Sequence, residues 1–253
     1  MFTNAIVKTP CKNLVKGLTS VNLGLPDYFN AIEQHQSYTS ALKECGLEVT
    51  ILGADENYPD STFIEDTALL TPNCAIITNP GAPTRKGEIL NMKKVLEGFY
   101  KNIVEIKEHG TVEAGDVMVV GSHYYIGLSG RTNLDGANQL IRILSKYGLI
   151  GSTISLEKML HLKSGVSYLE NNNLLVASEL KNKPEFEKFN LIPVDEDESY
   201  AANSLWINDI VLVPKGFLKT RMKIEQLGYK TIEVDVSEFK KLDGGLSCLS
   251  LRF

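Results

Sequence analysis

The stretch Glu113–Ser129, "EAGDVMVVGSHYYIGLS", contains two short apolar runs separated by "GSH". Gly121 and Ser122 are typical of a hairpin turn, and the β-branched and aromatic residues on both sides favour strands. A polar entry, "EAGD", precedes the first run. The stretch therefore predicts a β-hairpin that the chain enters through acidic residues.

The same order of polar entry, apolar run, turn and second apolar run occurs elsewhere in the chain. These copies recur roughly every 40–50 residues, a period typical of propellers and solenoids. The further copies are "EDTALLTPNCAIIT" (65–78), "SGVSYLENNNLLVAS" (164–178), "ANSLWINDIVLVP" (202–214) and a version with one run, "GGLSCLSLRF" (244–253).

The stretches between the hairpins predict a helix and a further strand in each repeat. For the last copy, "NAIVKTP" (4–10) is predicted to supply the partner strand and close the ring. Residues with helical apolar spacing are followed by short strand-like runs. The predicted helices lie in 28–46, 86–101 and 133–148, and the predicted strands lie in 47–53, 103–110, 152–157 and 231–237.

No linker or change of composition divides the chain, so we predict a single α/β domain over residues 1–253 with a pseudo-fivefold repeat. The alternative is a two-layer α/β fold without symmetry. In a ring of such repeats the hairpin entries face a common axis, and the polar residues at those entries would meet in one central site.

Charge and composition exclude several classes of protein. A formal net charge of −5 gives no broad basic field, so we expect no nucleic-acid partner. No apolar run approaches the roughly 20 residues of a membrane helix, and the start lacks the apolar core of a signal peptide. The four cysteines are widely spaced and form no C-x-x-C pair, which is typical of a reducing compartment. We therefore expect a soluble, cytoplasmic protein.

The hairpin entries hold a cysteine, a histidine and several carboxylates. A Cys–His nucleophilic site fits this set better than zinc, which would need more cysteine or histidine at short spacing. A protonated His161 near Cys248 would favour the thiolate, and Glu113 would orient the imidazole. The entry residues are Asp60, Glu65, Asp66, Glu113, Asp116, His161, Asn203 and Cys248.

The carboxylates indicate a substrate with several fixed N–H donors. A guanidinium group offers five donors in a planar fork. Arg85 and Arg131 lie in glycine-punctuated stretches and are placed to bind an α-carboxylate. An amino acid with a guanidino side chain satisfies both ends.

Each residue also has a structural interpretation. Cys248 would serve as small core filler, and His161 as a surface or helix-end residue. The "EDT" stretch would cap a helix, and the arginines would be ordinary surface residues. It is the shared position at repeat entries that favours the catalytic interpretation.

In its motifs the sequence resembles the dimethylarginine dimethylaminohydrolases, a family within the guanidino-modifying, amidinotransferase-like superfamily. The resemblance runs through nearly the whole chain, and the order and spacing of the motifs make it specific. The motifs are "LPDYFNAIEQHQSY", "YPDSTFIEDTALL", "ITNPGAPTRKGE", "VEAGDVMVVG", "GLSGRTN", "LHLKSGVSYL", "AANSLWIN" and "DGGLSCLS".

The resemblance implies a five-bladed α/β propeller, the pentein fold, with a central active site. It implies hydrolysis of N-ω-methylated arginine to citrulline and a methylamine, without a metal or organic cofactor, and a homodimer is compatible with it. It also implies a role for each site residue. Cys248 would be the nucleophile, His161 the general acid and base, and Glu113 its partner, while substrate would be bound by Leu18, Asp60, Glu65, Asp66, Arg85, Arg131 and Leu242.

One residue departs from the family pattern, since Ala114 stands where the family commonly has glycine. If the position needs a positive φ, alanine costs roughly 1 kcal/mol or more there. Two other functions stay open: a hydrolase of free arginine or another guanidino compound, and a catalytically silent arginine-binding module. The glycines of "KGLTSVNLGLPDY" (16–28) also predict a loop that closes over the site.

Overall fold

The computed structural model describes residues 1–253, and its strands are short. Most contain valine, isoleucine or leucine, as buried strands do. They are β1 (Asn4–Lys8), β2 (Glu48–Leu52), β3 (Ala68–Leu70), β4 (Ala75–Ile77), β5 (Ile103–Glu105), β6 (Val117–Val120), β7 (His123–Leu128), β8 (Ile150–Ser155), β9 (Val166–Tyr168), β10 (Asn173–Val176), β11 (Asn190–Pro193), β12 (Leu205–Ile207), β13 (Ile210–Pro214), β14 (Lys230–Val234) and β15 (Leu251–Arg252).

The strands form five three-stranded sheets that share one strand order. In each sheet an antiparallel pair is followed by a third strand parallel to the middle one. The sheets are β15-β1-β2, β3-β4-β5, β6-β7-β8, β9-β10-β11 and β12-β13-β14. The predicted hairpin and third strand of the repeat are confirmed, as is the pairing of the first strand with the last, whereas the predicted helix is not a long helix in every repeat.

Two of the helices begin at a capping side chain and end just before a glycine. Asp27 accepts a hydrogen bond from Asn30 N, and Asn133 accepts one from Gly136 N, so both side chains cap helix starts. Gly46 and Gly148 follow the ends of these helices with positive φ. The helices are α1 (Tyr28–Glu44), α2 (Met92–Leu96), α3 (Leu134–Lys146), α4 (Leu218–Gln226) and α5 (Ser237–Lys240).

The second and fourth repeats replace a long helix with short turns. The helix predicted over 86–101 is a 3-10 turn, Pro83–Ile89, followed by the five-residue α2. In the fourth repeat Pro184 begins a second 3-10 turn directly after Ser178–Asn182. Proline lacks the N–H that would continue a helix, which explains the interruption. Strand β11 follows these turns and was not among the predicted strands.

The chain divides into two compact units. Unit 1 comprises residues 1–64 and 194–253, with the sheets β15-β1-β2 and β12-β13-β14. Unit 2 comprises residues 65–193, with the other three sheets. The single domain over residues 1–253 stays a prediction. None of the helices has the length and apolar composition that a membrane span requires.

Each unit has its own apolar core. In unit 1, Tyr38 and Leu42 of α1 belong to one buried cluster with Phe239. Unit 2 has two clusters, one containing Ile126 and the other Leu174. Hydrophobic burial of this kind is the main favourable term in folding, so these cores hold the hairpin entries in place.

The chain end is tied to β1 in unit 1. Phe253 O accepts hydrogen bonds from Thr3 N and Asn4 N, at 2.9 and 2.8 Å, and Phe253 N donates to Asn4 O at 3.0 Å. Leu251 is buried within the same pairing. Truncation after Ser250 should therefore lower the free energy of unfolding by about 3–5 kcal/mol, measured by urea denaturation. Phe253→Ala keeps the main-chain bonds and should cost about 1 kcal/mol. Equal stability of the truncated and full-length chains would contradict this account.

Candidate active site

In unit 2, His161 and Glu113 form a buried pair. His161 Nε2 lies 2.7 Å from Glu113 Oε2, and Glu113 has no exposed surface. Both residues directly precede a 3-10 turn that leads into a strand, Ala114–Asp116 before β6 and Leu162–Ser164 before β9. The two hairpin entries therefore bring an imidazole and a carboxylate into hydrogen-bond contact.

The His161 imidazole is surrounded by carboxylates that hold a proton on it. Burial lowers its pKa, but the negative charges of Asp66, Asp116 and Glu113 outweigh burial and raise the pKa to about 9. At neutral pH the ring is therefore an imidazolium that donates to Glu113. Burial raises the pKa of Glu113, yet the hydrogen bond with His161 contributes to a net pKa below the usual range.

Asp66 connects this pair to a buried arginine. Asp66 Oδ2 accepts a hydrogen bond from Arg85 Nη1 at 2.6 Å, and Oδ1 accepts one from Gly115 N at 2.9 Å. Burial raises the pKa of Asp66, but the charges of His161 and Arg85 bring it to about 2. Asp66 is therefore ionised throughout the physiological range.

Arg85 is itself held by two carboxylates. Its Nε and Nη2 atoms donate to Glu88, with Nη2 2.8 Å from Oε2, while Nη1 binds Asp66. Burial lowers the pKa of Arg85, but Asp66 and Glu88 raise it well above the usual value. Burial of a guanidinium is tolerated because its donors meet charged acceptors.

Two small residues leave room for this cluster. A Cβ atom on Gly115 would lie 2.8 Å from Asp66 Oδ1 and 3.0 Å from His161 Nδ1, so glycine is required there by close packing. Ala114 lies in the adjoining right-handed 3-10 turn and is not among the residues with positive φ. Alanine at this position therefore carries no backbone strain.

Arg131 reaches the same pair from a loop after β7. Its Nη1 atom lies 3.5 Å from Glu113 Oε1, and about a fifth of its side chain, 21%, is exposed. Gly81 packs against its main chain, since a Cβ there would come 2.3 Å from Arg131 O. Arg131 thus has a fixed backbone and a partly accessible guanidinium.

Two residues of this network, Lys163 and Glu88, were absent from the predicted site, whereas Asp116 was among the predicted entry residues. Lys163 Nζ donates to Glu65 Oε1 at 2.6 Å and neutralises that buried carboxylate. Glu88 pairs with Arg85, and Asp116 accepts hydrogen bonds from Leu162 N and Ser129 Oγ. The sequence offered only weak signs of these contacts: Lys163 follows His161 by two positions, and Glu88 follows Arg85 by three.

Asp66, Glu113 and His161 also offer three ligand atoms within 4.8 Å of one another. A divalent cation there would have to displace the proton of His161 and lie near the cationic Arg85. Both effects oppose metal binding. That the reaction needs no metal or organic cofactor stays a prediction.

In unit 1, Cys248 lies in a 3-10 turn, Ser247–Leu249. Of the four cysteines Cys248 alone is partly exposed. Its Sγ atom lies 3.4 Å from Gly245 N, an N–H placed to stabilise a negative sulfur. A cysteine with this exposure and contact is better suited to reaction than the three buried ones.

The predicted strand over "LSCLSLRF" is wrong in its first half, since β15 covers only Leu251–Arg252. The 3-10 turn closes because Cys248 N donates to Gly245 O. Ser247 N donates to Asn203 Oδ1 at 2.9 Å, and the Asn203 amide returns a hydrogen bond to Ser247 Oγ. These bonds take up the groups that strand pairing would need.

The two glycines before Cys248 are needed for packing and not for the backbone conformation of the turn. The left-handed residue of the turn is Asp243, with φ of 58°, whereas Gly244 and Gly245 are not among the residues with positive φ. A Cβ on Gly244 would lie 2.1 Å from Phe63 Cε1, and one on Gly245 would lie 2.6 Å from Asn203 Cγ. The glycines allow close packing on both sides of the turn.

The remaining predicted residues of unit 1 lie together. Leu18 N donates to Asp60 Oδ1 at 2.9 Å. A Cβ on Gly17 would lie 2.9 Å from the same oxygen and 3.1 Å from Leu242 Cδ1. Asp60 and Leu242 are buried and Leu18 is exposed. The catalytic and binding roles of all these residues stay predictions.

Comparison with known proteins points to one family. The family model described as "N,N dimethylarginine dimethylhydrolase, eukaryotic" matches residues 28–249. The N(G),N(G)-dimethylarginine dimethylaminohydrolase of Pseudomonas aeruginosa is 55% identical over 254 residues, covering 100% of each chain. The protein of the same name from Streptomyces coelicolor is 34% identical, covering 98% of this chain and 96% of its own.

Solved structures agree with this similarity. The Pseudomonas aeruginosa enzyme, as a cysteine-to-serine mutant complexed with citrulline, is 54% identical and has a TM-score of 0.99, with 100% of both chains covered. The N-terminal domain of ArgZ, a cyanobacterial arginine dihydrolase, has a TM-score of 0.88 at 20% identity, covering 98% of this chain and 97% of its own. At 20% identity, the similarity to ArgZ shows a shared fold only. The predicted α/β fold with five repeats, of the pentein type, is confirmed.

Replacing Glu113 tests the origin of the His161 charge. Glu113→Gln keeps a hydrogen-bond acceptor but removes one of three nearby negative charges. The pKa of His161 should fall from about 9 toward its ordinary 6.5, measured by NMR titration of the ring protons. Because the folded-state pKa is the higher one, the stabilisation is complete below pH 6.5 and is lost as pH rises through 9. The variant should lose this stabilisation at a lower pH.

The matched control is Glu108→Gln, at an exposed position in the same unit. It should leave the His161 titration unchanged. A pKa of His161 that stays near 9 in Glu113→Gln would contradict the assigned cause.

Proposed function

The chain belongs to the dimethylarginine dimethylaminohydrolase family, and we propose that it hydrolyses N-ω-methylated arginine to citrulline and a methylamine through a covalent intermediate on Cys248. The observation that carries this proposal is the buried imidazolium of His161 beside Glu113. A proton held on this ring at neutral pH is what an amine leaving group needs. The partly exposed Cys248 supplies the nucleophile.

In the first half of the reaction the Cys248 thiolate attacks the guanidinium carbon. A C–S bond forms and a tetrahedral adduct results. His161 gives its proton to the nitrogen that bears the methyl groups, and the C–N bond breaks to release the methylamine. An S-alkylthiouronium remains on Cys248.

In the second half the neutral His161 takes a proton from water. The resulting hydroxide attacks the same carbon and forms a C–O bond. The C–S bond then breaks, the sulfur leaves as a thiolate, and the new hydroxyl group releases its proton to solvent, which completes the ureido group of citrulline. Glu113 holds the imidazole in one orientation through both proton transfers.

Binding of the substrate uses both ends of the molecule. Asp60, Glu65 and Asp66 face the guanidinium and its polar surroundings, since carboxylates match its N–H donors. Arg85 and Arg131 bind the α-carboxylate, and the main-chain carbonyls of Leu18 and Leu242 accept from the remaining donors. Arg131 is the better test of the clamp, because Arg85 is already engaged by Asp66 and Glu88.

We further propose that the enzyme works in the cytoplasm and that it forms a homodimer. Four free cysteines support a reducing compartment. The homodimer is carried over from the family resemblance alone.

A citrulline-release assay tests the reaction and the substrate class together. Dimethylarginine and monomethylarginine should be turned over and free arginine much less, and Cys248→Ser should lower kcat by a factor of about 10³ or more. Cys45→Ala, which removes a buried thiol, should keep wild-type kcat. Preference for free arginine would move the function to an arginine hydrolase. Normal turnover by Cys248→Ser would contradict the covalent mechanism, and no turnover of any arginine would favour the silent binding module.

The carboxylate clamp is tested with Arg131→Ala. Loss of a charge-assisted contact made equally before and during reaction should raise KM for methylarginine about 10- to 100-fold and change kcat by less than about fivefold. An N-methylated guanidine without the α-carboxylate should show no such increase. Arg142→Ala, at an exposed position on α3, is the control and should match wild type. Equal KM effects on both substrates would count against the clamp.

A further inference from the structure

The segment 18–27 lies between two helical elements and has no regular structure of its own. The 3-10 turn before it ends at Lys16, and α1 begins at Tyr28. It exposes several leucine side chains, including Leu23 and Leu25, the latter 78% exposed. Such a segment depends on contacts with other elements for its position.

These contacts go to the residues that precede the Cys248 turn. Ser20 N donates to Asp243 Oδ2 at 2.5 Å, and Asp27 N donates to Glu238 Oε2 at 2.7 Å. Lys241 Nζ donates to Leu25 O at 3.3 Å and to the same Glu238 oxygen at 2.7 Å. Ser20 near the beginning of the segment, and Leu25 and Asp27 near its end, are thus held by residues within 238–243.

Asp243 is unusual among these partners. It holds a left-handed backbone, with φ of 58°, which aspartate tolerates better than most residues. It also follows Leu242, whose side chain packs at Gly17, the residue just before the segment. Asp243 thereby connects the turn that contains Cys248 with the main chain of Ser20.

The adjoining residue Leu18 is held in the same manner. Leu18 N donates to Asp60 and Ser20 N donates to Asp243, so two carboxylates fix the backbone at both ends of three residues. This arrangement sets the direction of the Leu18 carbonyl. Without the hydrogen bond from Ser20 N to Asp243, the Leu18 carbonyl would be free to change direction.

We propose that Asp243 is a positioning residue that holds the segment 18–27 against the Cys248 turn and thereby sets the affinity for substrate. The proposal rests on the proposed function, in which the Leu18 carbonyl accepts from the substrate. Asp243 takes no part in bond making. Its loss acts on KM through the segment and leaves the chemical step in place.

Substitutions at this position separate the hydrogen bond from the backbone conformation. Asp243→Gly keeps the left-handed backbone and removes the acceptor, whereas Asp243→Asn keeps both. Asp209→Gly is the matched control, because Asp209 is also an aspartate of unit 1 with a left-handed backbone, and it lies at an exposed position.

Amide hydrogen exchange in the ligand-free protein tests the contact. Asp243→Gly should speed exchange in the segment 18–25 about tenfold, while Asp243→Asn should stay within about threefold of wild type. Asp209→Gly should leave the segment unchanged. Unchanged exchange in Asp243→Gly would overturn the proposal. Exchange rates can be measured whether or not the wild-type chain turns over any arginine. Faster exchange in a chain without turnover would therefore contradict the proposed function alone.

Kinetics on methylarginine tests the effect on affinity. Asp243→Gly should raise KM about five- to tenfold with kcat within about twofold, and Asp243→Asn should restore most of the affinity. Faster exchange with an unchanged KM would overturn the link to affinity. A fall in kcat with unchanged KM would overturn the positioning role.

Discussion

Burial of several carboxylates around one imidazole is the constraint on which unit 2 depends. Ionised groups lose much hydration when buried, and the loss is tolerated only where each finds charged or N–H partners. Here Asp66 meets Arg85, Glu113 meets His161, and Glu65 meets Lys163. Removing one partner would take away the main charge that compensates its buried neighbour. The proton on His161 therefore contributes to the stability of unit 2.

Main-chain hydrogen bonds between successive hairpin entries help to satisfy this constraint, and the same kind of bond occurs in more than one repeat. Gly115 N, at the entry of one hairpin, donates to Asp66 at the entry of the previous one. Leu162 N donates in the same way to Asp116.

In unit 1 Ser247 N donates to Asn203, which stands before β12 as Asp116 stands before β6. In these three pairs of entries a main-chain N–H of the later entry donates to an aspartate or asparagine of the earlier one. The sheets fix where the entries lie, and these bonds fix how the entries are oriented.

Much of this architecture was predictable because it depends on local pattern. Turn residues between apolar runs mark the hairpins, and the single run within 244–253 predicted a partner strand in 4–10, which β1 supplies. The positions of Glu113 and His161 at hairpin entries follow from the same pattern. Strand β11 was not predicted because the residues before it, which include Pro184, show no helical pattern of the kind that precedes other predicted strands.

The contacts within the site were less predictable, because side-chain pairing depends on packing between residues far apart in sequence. Lys163 finds Glu65 across 98 positions, which no local pattern indicates. The glycines near Cys248 look like turn residues in sequence, whereas their packing against Phe63 and Asn203 is visible only in three dimensions. Asp243 was also overlooked, because its positive φ is visible only in the structure and its residue type gives no sign of it.

The high pKa of His161 has a consequence for the proposed reaction. A general acid works best when its pKa lies near the working pH, and a group with a pKa of about 9 holds its proton tightly. The carboxylates that raise this pKa include Asp66, one of the groups proposed to bind the guanidinium. A cationic substrate bound as proposed would offset their charge and lower the pKa of His161. The neutral ureido product would not, so the ring would regain its affinity for a proton once hydrolysis is complete. In the proposed reaction, substrate charge and the proton of His161 would thus be linked through the same carboxylates, and His161 would be the stronger acid while the substrate is bound.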